Sequence, residues 1–411
     1  MDKKNYKILF IGGVFPREIE KKIIKNSRGS VQIAANNVQW RIIDGLDQNL
    51  IKPITIINSM FVGSYPKHYN EVLIKEEKFS HCEGANDINL GFFNLAYIKH
   101  FLNPFHQNKY IKNWLNENKH DEKFVFIYSL SKQAVKIAEK IKKISPNTPV
   151  IVYCGDLPEH MMQEHKHQKL VNIYKKYSQE YINKRINYID GFIIVAEEQA
   201  KRMDLSKEKY MIMEGLIDPV GKQFVKLNSN TRIRNIVYAG GLSKKYGIKE
   251  LIQSFKQIKR EDIRLIFCGG GIMKDYILEA SKSDKRIIYK GVLPHSELQN
   301  IFNEAYITIN PTPKGQSFTN FSFPIKNLDY LFSGRPVVCE RLEAIPKEYD
   351  DYFIYYNSEH ELKNALEDIL NKPIKDINEI GFKNFDFVIK TKCIKVQAMR
   401  IIQFAETFFT N

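Results

Sequence analysis

Two side chains three residues apart, Lys326 and Asp329, carry the chemistry this sequence states most clearly. At that spacing they are neighbours on the surface of a helix. The stretch around them, Asn320 to Val338 (NFSFPIKNLDYLFSGRPVV), reads as a helix ahead of a short strand. Ser322 is a candidate N-cap, and Pro324 falls in the first turn, where its missing N–H costs nothing. Ile325, Leu328 and Phe332 share one face, which predicts packing on a sheet. Gly334 ends the last turn and Pro336 prevents continuation. The N–H groups of a helix start suit a phosphate, and Lys326 adds a full positive charge there. One turn on, the Asp329 carboxylate is placed to accept two hydrogen bonds from a ribose diol. A diphosphate and a ribose in one site mean a nucleotide ligand. The competing reading is a weak surface pair on an ordinary helix.

The surrounding elements alternate strand and helix. In the first half, short apolar runs at Lys7–Ile11, Ile54–Ile57, Phe124–Ile127, Val150–Tyr153 and Phe192–Val195 read as buried strands, and Val31 to Leu46 as an amphipathic helix. Such alternation predicts a mostly parallel sheet covered on both faces, with functional loops at the C-terminal ends of its strands. Those ends carry Gly12-Gly13, Asn58-Ser59, Ser129 and Gly155-Asp156-Leu157-Pro158. Gly12 and Gly13 mark an acceptor-side loop, and Gly63–Pro66 and Ser80–Asn89, which lacks a clear period, are assigned to the same side. Asp156 is the leading carboxylate of this half; its competing reading is a helix cap. His160, His165 and His167 read as a solvated polar helix, since residues five apart align poorly on one face.

Pro219 to Asn230, with Gly221, Asn228, Ser229 and Asn230, has the composition of a linker. Domains are therefore expected at 1–215 and 233–390, joined by a linker at 216–232. The second half restarts as strand then glycines: Ile236–Ala239 before Gly240-Gly241, Leu265–Cys268 before Gly269-Gly270-Gly271, and Ile287–Tyr289 before Gly291-Val292-Leu293. Ile248–Ile258, Leu298–Ala305 and Asn357–Leu370 read as helices. The segment Lys390–Phe409 reads as a terminal amphipathic helix, within an expected segment 391–411 that either crosses back to the first domain or docks on its own.

At 411 residues the chain is too long for one ordinary core. It has no run of about 18 apolar residues, the length a bilayer requires. Five scattered cysteines without a CxxC pair point to a reduced, cytoplasmic setting. A net charge of +15 favours anionic partners, either a nucleotide or an anionic membrane surface. No nucleic-acid motif accompanies that charge. A nicotinamide oxidoreductase is excluded: no GxGxxG follows the first strand, and no acid ends the next.

The second half resembles the C-terminal domain of retaining glycosyltransferases of GT-B fold, family 4. There a strand ending in Asn-Pro leads to Phe-Pro-x-Lys-x-x-Glu-Tyr and then Ser-Gly-x-Pro-Val-Val. Here the corresponding residues are Asn310-Pro311, Phe323–Tyr330 and Ser333–Val338. The resemblance implies two facing Rossmann-like α/β domains with an interdomain cleft, and donor-sugar contacts from Gly240, Gly241, Lys245, Gly270, Val292, Ser322, Phe323, Pro324, Ile325, Lys326 and Asp329. It implies Lys326 and Asp156 as catalytic residues, and Asp329 as the ribose ligand where many members have Glu. Gly155 stands where many members have His ahead of the aspartate, and three further departures stand out. Phe321 replaces a second Glu, Gly241 stands at an Arg position, and Tyr246 stands at a Lys position, leaving Lys244 or Lys245 to serve. The subgroup with Tyr-Gly and Ser-Phe-Pro implies cell-surface polysaccharide, capsule or lipopolysaccharide assembly. The expected reaction is metal-independent transfer of a hexose from a UDP-linked donor to a glycan or lipid-linked acceptor. A peripheral location on the inner membrane face is expected with it. A non-catalytic nucleotide-binding protein and a sugar-nucleotide epimerase are the alternatives.

Overall fold

The computed structural model describes residues 3–29, 31–96, 99–157, 169–316 and 319–409. The chain divides into two compact units: Met1–Leu216 with Ile394–Asn411, and Ile217–Cys393.

In unit 1, β1 (Lys7–Gly12), β2 (Thr55–Asn58), β4 (Glu77–Phe79), β5 (Asp87–Asn89), β7 (Lys123–Tyr128), β8 (Val150–Cys154), β9 (Gly191–Ile194) and β10 (Tyr210–Ile212) form one sheet. Its order is β10-β9-β8-β7-β1-β2-β5-β4. All of its pairings are parallel except β4 with β5. The central strands are nearly continuous apolar runs, and β8 is buried at every position. That is what a parallel sheet covered on both faces demands. β3 (Leu73–Ile74) and β6 (Phe92–Phe93) make a separate antiparallel pair.

The last helix, Ile394–Glu406, belongs to this unit: Ile394, Ala398, Ile401, Ile402 and Ala405 enter the core beside Phe10, Ile42 and Leu46. It starts at Ile394, not Lys390, because a separate helix, Ile374–Thr391, ends just before it. That preceding helix has no counterpart in the sequence reading.

The 80–89 stretch corrects an expectation. β5 runs parallel to β2, so residues 80–86 enter a strand and lie at the N-terminal edge of the sheet, opposite Gly12-Gly13. β4 and β5 have three residues each, too few for a period to register in the sequence.

Unit 2 is a six-stranded parallel sheet. It comprises β11 (Arg234–Ala239), β12 (Ile263–Cys268), β13 (Ile287–Gly291), β14 (Ala305–Asn310), β15 (Val337–Glu340) and β16 (Phe353–Tyr356), ordered β13-β12-β11-β14-β15-β16. β11 is followed in sequence by β12 on one side and paired with β14 on the other, so the strand order reverses between β11 and β14. Ligands of open α/β sheets bind outside the strand C-termini at such a reversal. Residues 217–232 pack on this unit. Leu227 joins its core, and the buried Arg335 guanidinium donates to the carbonyls of Val225, Gly334 and Asn303. Among the described residues, no helix is long and apolar enough to cross a membrane.

The helices Ile33–Asn49 and Ile394–Glu406 touch at Gly45, where a Cβ would sit 2.5 Å from the Ile394 carbonyl oxygen and 2.9 Å from the Ala398 Cβ. Gly45→Val is predicted to destabilise the protein by about 1–3 kcal/mol through overpacking. Urea denaturation measures that loss, and limited proteolysis should show earlier cleavage around residue 394.

Candidate functional site

The strand-order reversal in unit 2 has a pocket of about 280 Å³ over it, small for a ligand site. Gly241 and Tyr246 line it from the β11 side. Thr312, Thr319, Ser322, Phe323, Pro324, Ile325 and Lys326 line it from the β14 side, and Leu342 closes it. None of these lining residues is acidic.

Lys326 is the centre of this arrangement. It is the first residue of a short helix, Lys326–Phe332, capped at Ile325 without a side-chain hydrogen bond. This corrects the expected N-cap at Ser322. Pro324 and Ile325 form a tight entry turn instead, whose carbonyls accept from the Asn327 and Leu328 N–H groups at 2.8 and 3.0 Å. Those two N–H groups are therefore spent inside the protein. The same holds in the glycine loop, where Gly240 N–H donates to the Cys268 carbonyl and Leu242 N–H to the Gly270 carbonyl. The expected cradle of free backbone donors is thus much reduced, and the lysine carries the positive charge of the pocket.

The Lys326 ammonium donates to the Tyr238 hydroxyl at 3.2 Å, and lies 4.6 Å from the Tyr238 ring centroid and 4.9 Å from that of Tyr246. No carboxylate among the described residues pairs with it. Burial pulls its pKa down to about 8. Tyr238 is held in turn, its hydroxyl donating to the Gly241 carbonyl at 2.7 Å. Its lone pairs are thereby directed to the ammonium. Tyr330, from the same helix as Lys326, accepts from Ala239 N–H and donates to Ala239 O, which fixes the end of β11. On the other side, the Asn310 side chain donates to Asn327 and accepts from the Thr312 hydroxyl, which pins the start of the β14 loop.

Two glycines are dictated by this packing. Gly240 adopts φ 149°, and a Cβ there would lie 3.4 Å from the Lys326 Nζ. Gly247 adopts φ 70°, and a Cβ there would meet the Pro311 carbonyl oxygen at 1.8 Å. The chain at Gly247 therefore packs directly against Pro311.

The remaining expected site residues divide. Gly270 and Val292 come together, a Cβ on the former lying 3.1 Å from the Val292 Cγ2, and Val292 is 78% exposed. Lys245 is exposed, with its ammonium 5.1 Å from the Tyr246 ring centroid, and does not line the pocket. Asp329 is half-buried one turn beyond Lys326 and also lies outside the pocket lining. Its charge bears on Lys222, which donates to Gln299 at 2.5 Å and sits 4.5 Å from the Phe332 ring centroid. Burial lowers the Lys222 pKa to about 8, opposed by Asp329. Lys222 and Tyr238 were missed in the sequence, the first hidden in a presumed linker and the second in an apolar strand.

In unit 1, Gly13 N–H donates to the Gln39 Oε1 at 2.8 Å, and a Cβ at Gly13 would strike the Phe61 ring. Asp156 is exposed after β8, beside Tyr128 and Tyr153, whose stacked rings are 5.1 Å apart and whose hydroxyl pKa values are raised, chiefly by burial. Pro158, His160, His165 and His167 lie outside the described residues.

Residues 233–372 match the family described as Glycosyl transferases group 1, so unit 2 carries a glycosyltransferase domain and the chain falls in that enzyme class. No curated protein matches the chain. Sucrose-phosphate synthase from Thermosynechococcus elongatus superposes with a TM-score of 0.61 at 13% identity, covering 98% of this chain and 99% of that one. A trehalose-6-phosphate structure from E. coli bound with UDP-2-fluoro glucose gives 0.60 at 10% identity, covering 97% and 99%. The lipopolysaccharide outer core galactosyltransferase WaaB gives 0.57 at 15% identity, covering 94% and 99%. At these identities the likeness shows the fold, which is that of GT-B glycosyltransferases with two Rossmann-like α/β domains.

The lysine makes a direct prediction. Binding of a nucleoside diphosphate should weaken as pH rises through about 8, where the free ammonium is lost. Lys326→Ala should weaken it at pH 7 by roughly ten- to a hundredfold, the worth of a charged hydrogen bond, and flatten the pH profile. Tyr238→Phe keeps the ring but removes the oxygen facing the ammonium, so the fall should move to lower pH. Calorimetric titration between pH 6 and 9 checks all three.

Proposed function

We propose that this chain is a retaining glycosyltransferase that moves a hexose from a UDP-linked donor to a glycan or lipid-linked glycan acceptor in cell-surface polysaccharide assembly. The observation that carries the reading is Lys326: a largely buried ammonium without a carboxylate partner among the described residues, in a pocket whose described lining holds no acid, at the strand-order reversal of the domain that matches the glycosyl transferases. A leaving nucleoside diphosphate supplies the missing negative charge. As the bond to the anomeric carbon breaks, negative charge grows on the phosphate oxygen, and a fixed ammonium in a poorly hydrated site stabilises that charge more than it stabilises the bound donor.

In this reading Ser322, Thr312 and Thr319 offer hydroxyls to donor oxygens, and Gly240 and Gly241 let the donor approach the loop closely. Asp329 holds the ribose, and the base lies along Gly270 and Val292. Retention follows from the family resemblance, with same-face attack by the acceptor and the departing phosphate as the proton acceptor. Lys326 provides the charge that lets the reaction run without a divalent metal. Asp156 and the Gly12-Gly13 loop serve the acceptor. The UDP assignment is supported by the neighbour bound with UDP-2-fluoro glucose, and the cell-surface role by the neighbour acting on the lipopolysaccharide outer core. The net charge of +15 supports work at an anionic membrane face from the cytoplasm. Gly241, Tyr246 and Phe321, which leave Lys326 with less help than the family pattern supplies, favour the second reading of a non-catalytic nucleotide-binding protein.

Incubation with UDP-, GDP-, ADP- and dTDP-hexoses and membrane-lipid acceptors separates these readings. The expected result is a glycosylated product from the UDP donor, with the anomeric configuration kept by NMR and lost activity in Lys326→Ala. Nucleotide binding without turnover of any donor would establish the non-catalytic reading, and an altered sugar on the same nucleotide an epimerase.

A further inference from the structure

On the N-terminal edge of the unit 1 sheet, away from the strand ends that carry Gly12-Gly13, three donor atoms of different chemistry converge. The Asp47 carboxylate, the His81 ring and the Cys82 thiol place one ligand atom each within 4.8 Å of one another. His81 Nε2 lies 2.8 Å from Asp47 Oδ2, and Cys82 Sγ lies 4.0 Å from the same oxygen. We propose that Asp47, His81 and Cys82 form a binding site for a zinc-class divalent ion, with water as the fourth ligand.

The second layer of the cluster is already arranged for such an ion. A metal-bound imidazole usually donates its other N–H to a carboxylate, which sets the ring's tautomer and direction. Here Asp87, whose side chain is fully buried, accepts from His81 Nδ1 at 2.6 Å. Asp87 is itself fixed by the backbone N–H of Ile56 at 2.8 Å and of His81 at 2.9 Å. Asp47 is fixed in the same way, its Oδ1 accepting from Ile54 N–H at 2.9 Å, which leaves Oδ2 for the cluster. The loop that presents His81 and Cys82 is closed on itself by the Ser80 hydroxyl, which donates to the carbonyls of Cys82 and Ala85. Each carboxylate is therefore fixed by a backbone N–H outside the cluster, and the ring is oriented by Asp87.

An ion at this point would take one bond each from His81 Nε2, Cys82 Sγ and an Asp47 oxygen, with the thiol proton and any proton on Nε2 released to water. Mixed nitrogen, sulfur and oxygen donors suit zinc, and three protein ligands plus water match an open zinc site. Entry is available, since Cys82 is exposed while the other four cysteines are buried. Asp44 and Arg17, paired at 2.6 Å, are the other charged groups bearing on the thiol.

Cobalt(II) added to the metal-free full chain at pH 8 tests this assignment. One equivalent should give a thiolate-to-cobalt absorption band and the intense visible bands of a four-coordinate site, both lost on adding one equivalent of zinc. Cys82→Ser, a change at an exposed position, should abolish the thiolate band without changing the melting temperature of the metal-free protein. Asp87→Asn should retain the band but need roughly ten- to a hundredfold more cobalt, the usual cost of losing a carboxylate behind a ligating histidine. No thiolate band at saturating cobalt, or a band that survives Cys82→Ser, would overturn the proposal.

Discussion

A largely buried ammonium that no carboxylate among the described residues meets is the constraint on which the candidate site depends. Removing a charge from water is expensive unless another charge or a set of dipoles replaces the lost hydration. Around Lys326 the replacement is partial: one phenolic oxygen at 3.2 Å and two aromatic faces within 5 Å. That leaves the lysine stable enough to exist as a cation near neutral pH, yet short of the negative charge that would satisfy it. An anion entering the pocket completes the set. The free site therefore holds an electrostatic deficit, which is why the proposal gives it a diphosphate.

The rest of unit 2 keeps that deficit in place. Tyr330 fixes the end of β11, Asn310 fixes the start of the loop after β14, and Gly247 lets its loop pack against the Pro311 carbonyl. The Tyr330 and Gly247 contacts span the strand-order reversal, so the two walls of the pocket are referenced to one another. Gly241 and Tyr246 stand where the resemblance leads one to expect basic side chains, and among the described residues lining the pocket Lys326 alone is charged.

Much of this was legible in the sequence because it rests on local patterns. Apolar runs ending in glycine gave the strands and their loops, and Phe323–Tyr330 gave the lysine and its helix. What stayed hidden depended on contacts between distant segments. Ser322 has the composition of a cap, but the turn made by Pro324 and Ile325 starts the helix later. Tyr238 looks like any strand residue until β11 is laid beside the helix that carries Lys326. The glycine-loop N–H groups look free until β12 and its loop are placed next to them. Residues 217–232 have the glycine and asparagine content of a linker, yet Leu227 and the Arg335 contact bind them to the unit 2 core. His81 gave no signal at all, because its partners Asp47 and Asp87 come from a helix end and a three-residue strand.

Amide hydrogen exchange along the whole chain, with and without saturating UDP, tests the central claim most directly. The account predicts slowed exchange at residues 239–243, 269–271 and 319–328, with that protection lost in Lys326→Ala. Protection confined to unit 1, or unchanged by removing the lysine, would contradict it.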